Sequence, residues 1–220
     1  MDNPTKQELR IMKEFADTRL LYENFAFNIR ELLISLLEDE GIRFQEISHQ
    51  VKDLDKLNEK LERKRTAGKS YKHIRDIPDL ARVRIILYFK DDIDKVIGLV
   101  EKEFRFFHQE SLDKEKFFLD QPDKFGYLSK HRVVCLNEKR NCLKEYKRFK
   151  NLRCEIQIRT VLQHAWAEIE HDIIYKSETS SDPIKKAETK RILSQNAAIL
   201  EVADDNFVEI RKRYENYLKR

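Results

Sequence analysis

The chain is poor in the residues that make tight turns and crosslinks. It holds four glycines and four prolines in 220 residues, which excludes a turn-rich all-β architecture and long flexible linkers. Cys135, Cys142 and Cys154 make an odd set of three without paired metal-ligand spacing. Free thiols in a cytoplasmic protein are therefore expected rather than a disulfide framework. No apolar run reaches the roughly 20 residues of a membrane span. The first residues, MDNPTKQELR, lack the apolar segment of a signal peptide. Charge of one sign is also lacking: 44 basic side chains face 40 acidic ones, and the net +4 does not announce a nucleic-acid binder. GxxxxGK[ST], GxGxxG and HExxH are all missing, so neither common nucleotide fingerprint nor the zincin motif applies.

What is present is a 40% hydrophobic chain, enough for one medium domain with helical additions. Its organising stretch is Leu152–Lys176. Up to Thr160 the pattern alternates, with Cys154, Ile156 and Ile158 on one side and Glu155, Gln157 and Arg159 on the other, as in a strand. Beyond Thr160, Leu162, Ala165, Trp166, Ile169 and Ile173 recur at helical spacing, and Thr160 can cap that helix. The helix carries Gln163, His164, Glu168 and His171. A strand end of this kind can hold a phosphate or a metal; it can equally be a solvated sheet face beside an amphipathic helix.

In chain order, residues 6–38 predict a long helix on the stripe Leu9, Met12, Phe15, Ala16, Phe25, Ile29, Leu32, Leu33, Leu36 and Leu37, ended by Gly41. A short strand over 42–47 and a helix over 53–64 follow, the latter capped by Asp53 with Leu54, Leu57 and Leu61 inward. The periodicity then predicts a strand at 81–89, a helix at 92–104, a strand at 131–136 and a hairpin or short helix within 137–151. A break at Ser177–Pro183 precedes a final helix over 184–217, with Ile192, Leu193, Leu200, Val208 and Ile210 on its stripe. The expected class is α/β (α+β): a mixed β-sheet flanked by helices, with long N- and C-terminal helices.

Several residues can carry chemistry. Lys52, Lys56 and Lys60 follow at four-residue spacing on one face beside Arg63 and Lys64, a self-repelling array that suits a polyphosphate or is simply solvated surface. Asp79 stands just before the first strong strand and Glu155 within the later one. If those strands are neighbours, the two carboxylates can hold Mg²⁺; otherwise Asp79 is a turn residue after Pro78. Gly126 permits close backbone approach, Tyr127 can stack on a base, and Lys130 and His131 can reach phosphate.

Taken in order, Asp79-Leu80-Ala81-Arg82-Val83-Arg84-Ile85, then Gly126-Tyr127-Leu128-Ser129-Lys130-His131, then Glu155-Ile156-Gln157-Ile158-Arg159-Thr160, and finally Ala165-Trp166-Ala167-Glu168-Ile169-Glu170-His171 with Tyr175-Lys176 carry a resemblance. The chain resembles the synthetase domain of the RelA/SpoT family, over residues 48–176, between an N-terminal helical extension at 1–47 and a C-terminal one at 177–220. The resemblance implies a nucleotidyltransferase-like fold and a small synthetase without the family's hydrolase domain. It implies transfer of pyrophosphate from ATP to the 3′-hydroxyl of GDP or GTP, with release of AMP and formation of ppGpp or pppGpp. By the same resemblance Asp79 and Glu155 bind Mg²⁺, and Glu155 helps to deprotonate the hydroxyl. Lys52, Lys56, Lys60 and Arg63 contact ATP phosphates, and Arg84 stacks on adenine. Tyr127, Lys130, His131, Gln157, Arg159 and His164 line the acceptor.

The chain departs from the family pattern at Gln50, Lys56, Arg82 and His164, where the family often carries Arg, Ser, Gly and Asn, and at Pro122-Asp123-Lys124-Phe125. These departures bear on the acceptor. Some small members of the family are toxins, paired with an antitoxin, that make adenosine alarmones or pyrophosphorylate the tRNA 3′ end. Others are homotetramers. A non-catalytic nucleotide- or RNA-binding protein, using the basic segment from Arg63 to Arg75, is the alternative of another class.

Overall fold

The computed structural model describes residues 4–113, 126, 129–178 and 183–218. Helix α1 spans Lys6–Asp39. It starts because Thr5 and Glu8 form a reciprocal capping box, with the Glu8 amide donating to Thr5 Oγ1 at 3.2 Å and the Thr5 amide donating to Glu8 Oε2 at 2.7 Å. It stops at Glu40, and Gly41 takes the left-handed φ of 65° that a side chain resists. The buried stripe is Ile11, Phe15, Tyr22, Phe25, Ala26, Ile29, Leu33 and Leu37. Phe15 is buried as expected, but Leu9 and Ala16, also expected inside, are exposed, and Ile11 is buried in their place.

Strand β1 (Phe44–Val51) runs further than the expected 42–47 and leads into α2 (Leu54–Thr66). Asp53 stands at the α2 N-cap without a side-chain capping bond; its carboxylate pairs with Arg19 at 3.4 Å. Leu57 and Leu61 are buried as expected. Then come β2 (Ala81–Leu87), α3 (Asp92–Glu103), β3 (Phe104–Phe106), β4 (Leu112–Asp113), β5 (Lys130–Leu136), the short α4 (Glu138–Asn141), β6 (Cys154–Thr160), α5 (Val161–Glu178) and α6 (Pro183–Leu218).

The sheet is mixed, in the order β1-β2-β6-β5-β3, with β4 paired to β5. β2 and β6 lie side by side and parallel; the other pairings are antiparallel. Alternation along each strand sorts the side chains. Val83, Ile85, Cys154, Ile156 and Ile158 share one face and join α1 and α3 in the main core, with Phe25 and Phe149 in ring contact at 5.5 Å. The opposite face is polar and carries the candidate site.

At the end of β6, Thr160 caps α5 as expected. Gln163 donates its amide to Thr160 Oγ1, and Thr160 donates its amide to Gln163 Oε1, both at 3.1 Å. The α5 stripe is not covered as expected: Trp166 is buried, but Ile169 and Ile173 are exposed. Helix α6 likewise buries Leu193 and Ala197 against Trp166 and leaves Ile192 and Ile210 exposed. It is held down by polar contacts. Trp166 donates to the Leu193 carbonyl at 3.0 Å, Thr160 donates to Asp204 at 2.7 Å, and Arg211 pairs with Asp91 and with Asp92. Among the described residues no helix is long and apolar enough to cross a membrane.

Candidate active site

The register brings the sequence-predicted residues together in rows. In the first row Gln50 of β1 faces Arg82 of β2, and Arg82 faces Glu155 of β6. In the next, Ser48, Arg84, Gln157 and His131 align across β1, β2, β6 and β5. Cross-strand partners share a face, so Arg82, Arg84, Glu155, Gln157 and His131 all project from the polar side.

Asp79 reaches the first row from the turn before β2. Its carboxylate holds Lys60 of α2 at 2.5 Å, Lys52 at 3.1 Å and the Arg82 guanidinium at 3.9 Å. Lys52 lies before the helix rather than on it, and the Tyr71 ring lies 5.8 Å from Lys60 Nζ. Glu155 accepts from Arg82 Nε at 2.8 Å and from Gln157 Nε2 at 2.9 Å, and His131 Nδ1 sits 3.1 Å from its other oxygen. One guanidinium thus bonds Glu155 and lies within ion-pair distance of Asp79. Gln50, Lys52, Lys56, Asp79 and Arg82 line a small cavity of about 30 Å³ beside it.

Burial alone would raise both acids, but the hydrogen bonds and charges around them win. Lys60 and Lys52 hold Asp79 below its ordinary value. His131 and Arg82 bring Glu155 down to about 2. Lys60 is itself lowered, because burial and the nearby Lys52 outweigh the attraction of Asp79. The site therefore presents two fixed anions at neutral pH.

The remaining candidates fall into three groups. Arg159, 3% exposed, donates to Gln157 Oε1 at 3.3 Å and extends the polar row along β6. Arg84 and His164 both approach Glu168 of α5, each at 3.4 Å. Burial, with Arg159 and Arg84 close by, lowers the His164 pKa and favours its neutral form. Lys56 and Arg63 are exposed on α2. Lys130 is set apart from His131: it faces Ile158 on the other side of the sheet and pairs with Asp94 at 3.0 Å. There it lines a cavity of about 360 Å³ with Lys90, Asp94, Ser129, Gln163 and Lys212, which neither Asp79 nor Glu155 lines. Tyr127 lies outside the described residues.

Among the described residues no group of three or more His, Cys, Asp and Glu side chains forms a metal cage. The ionised pair Asp79 and Glu155, already sharing one cation, fits instead an ion that takes one or two carboxylates and completes its shell with phosphate and water oxygens, as Mg²⁺ does. Sequence reasoning did not place Arg82 between the two acids, nor Lys52 and Lys60 on one carboxylate. The alternation of Arg82 and Arg84 was visible, but only the β2–β6 register sets Arg82 opposite Glu155.

A family model described as a region found in RelA / SpoT proteins matches residues 49–180. The chain belongs to the RelA/SpoT family. Among curated members it is 26% identical to GTP pyrophosphokinase YwaC of Bacillus subtilis, over 92% of either chain, and 30% identical to GTP pyrophosphokinase YjbM of the same organism, over 63% of this chain and 60% of that one. Its fold is that of small alarmone synthetase 1 from Bacillus subtilis, with TM-score 0.71, 24% identity and coverage of 92% of this chain and 98% of that one. Small alarmone synthetase 2 from the same organism superposes with TM-score 0.69 at 25% identity, covering 91% and 99%. Further structures of synthetase 1 hold its product pppGpp or AMPCPP. Over most of its length the chain is thus a RelA/SpoT member similar to these GTP pyrophosphokinases, with the fold of the small alarmone synthetases.

Proposed function

We propose that this RelA/SpoT protein transfers pyrophosphate from ATP to the 3′-hydroxyl of GDP or GTP. The observation that carries the reading is the convergence of Asp79 and Glu155, two ionised acids from separate elements, beside Lys52 and Lys60. Asp79 and Glu155 are the residues that would hold Mg²⁺, which when bound neutralises charge on the transferring phosphates. Phosphoryl-type transfer is mostly positioning and charge stabilisation, and that is what this face supplies.

In the reaction the acceptor's 3′ oxygen bonds to the β-phosphorus of ATP. The bond from that phosphorus to the α,β-bridging oxygen breaks, and AMP leaves with the oxygen. Lys52 and Lys60 turn from Asp79 to the donor phosphates, and Arg84 stands in the next row for the adenine. The hydroxyl proton passes to the Glu155–His131 pair. Glu155 at about 2 is a firm anion and a weak base. With its proton on Nδ1, His131 donates to Glu155 and presents Nε2, which is buried and has no partner among the described residues. Gln157 and Arg159 continue the polar row toward the acceptor.

The acceptor is tested by incubating the protein with ATP labelled on its terminal phosphates and offering GDP, GTP, ATP and bulk tRNA separately. Label in ppGpp or pppGpp is the expected result. Label confined to tRNA would overturn the guanosine assignment, and absence of AMP release with every acceptor would overturn transfer itself.

A further inference from the structure

We propose that Arg82 is a built-in counter-cation that occupies the metal seat between Asp79 and Glu155 when no donor nucleotide is bound, and must swing out to admit the metal. The inference rests on the reading that these two acids hold Mg²⁺. The guanidinium donates through Nε to Glu155 at 2.8 Å and brings a terminal nitrogen to 3.9 Å from Asp79. It therefore stands where a cation shared by both carboxylates would stand. The position is fixed by register, since Arg82 is the direct cross-strand neighbour of Glu155.

Charge makes this consequential. Asp79 and Glu155 face Lys52, Lys60 and Arg82, so the cluster already carries excess positive charge before any metal arrives. A free divalent cation meets both an occupied seat and like-charge repulsion. Arginine stays protonated at any working pH, so the seat cannot empty by loss of a proton; the side chain has to move. It has room to do so. Arg82 is 28% exposed at its side chain and lines the small cavity with Gln50, Lys52 and Lys56. A donor triphosphate binding over the mouth of that cavity, against Lys52 and Lys56, supplies the negative charge that draws Arg82 off the acids while metal enters behind it. Metal and nucleotide then bind as an ordered pair, and the protein binds metal weakly by itself.

The test uses Mn²⁺ as a paramagnetic stand-in, titrated into the nucleotide-free protein and read by EPR, with thermal melts to establish that each variant is folded. Arg82→Gln is expected to bind Mn²⁺ about tenfold or more tightly than the parent, because one unit of local repulsion and the occupant are both removed. Arg82→Lys keeps the charge and is expected to stay near the parent. Adding Glu155→Gln to Arg82→Gln should return binding to the parental level or below. Without divalent metal, Arg82→Gln should bind a non-hydrolysable ATP analogue more weakly than the parent. Equal or weaker Mn²⁺ binding by Arg82→Gln overturns the inference while leaving the carboxylate pair as the metal site. A lysine variant as tight as the glutamine variant overturns the charge argument. Tight Mn²⁺ binding that survives the double substitution places the metal elsewhere and overturns both readings.

Discussion

The two faces of the central strands β2 and β6 are built from the same stretches of chain and do opposite work. On one face Val83, Ile85, Ile156 and Ile158 are fully buried against α1 and α3. On the other, Arg82, Glu155 and Gln157 make a charged network that is costly to keep partly out of water. The first face stabilises the fold by removing apolar area from water. The second is stable because each acid is matched by cations, and it keeps those groups pointed at one place. The lesson is that two-residue periodicity in a strand can separate folding from chemistry at single-residue resolution.

Substitutions should break that separation cleanly. The largest effect is expected from the polar face. Asp79→Asn or Glu155→Gln should lower pyrophosphate transfer by about 100-fold or more, the scale for removing one preorganised charge contact, with the folded state retained by circular dichroism. On the core face, Ile156→Ala should cost about 2–5 kcal/mol in a urea melt, while activity per folded molecule stays close to parental.

Acidity sharpens the contrast, with opposite signs in two places. The folded-state pKa of Glu155 is about 2 against an ordinary 4.5. The native state binds that proton less tightly, so the contribution is present above about pH 4.5 and is lost as pH falls toward 2. Glu155→Gln should flatten that acid limb in pH-dependent melts. Asp204 goes the other way: burial raises it from 3.8 to about 6 despite the hydroxyl of Thr160. Its contribution is present below pH 3.8 and drains away as pH rises through about 6. Asp204→Asn keeps an acceptor for Thr160 and should stabilise the protein at pH 8 by about 3 kcal/mol, with little change at pH 4.

The smallest effects are expected at helix starts, away from both faces. Thr5→Ala breaks an observed capping box and should cost about 1 kcal/mol, whereas Asp53→Ala removes no capping bond and should cost only a few tenths. Equal losses at the two positions would contradict the caps described.

Much of this was legible in the chain. The alternation of Cys154–Thr160 fixed which residues share a face, because a strand's period is two whatever lies beside it. The turn to helical period after Thr160, and the long periodic segments at both ends, marked elements that the structure contains within a few residues. The order of the motifs from Asp79 to Lys176 marked the family as well. Coverage was less legible. Ile169, Ile192 and Ile210 have the spacing of core residues and are exposed, because periodicity shows that a face is apolar without saying what packs on it.

The sequence by itself therefore determined the elements, the two-sided strands and the identity of the acids and lysines, since these follow from local period and residue chemistry. The tertiary structure decided the site. Asp79 and Glu155 are far apart in the chain and meet only because β2 and β6 are parallel neighbours. Arg82 lies between them because that register, and no local rule, makes it the partner of Glu155. Pairing between distant strands is a long-range choice made by the burial of whole faces, and no short window of sequence contains it.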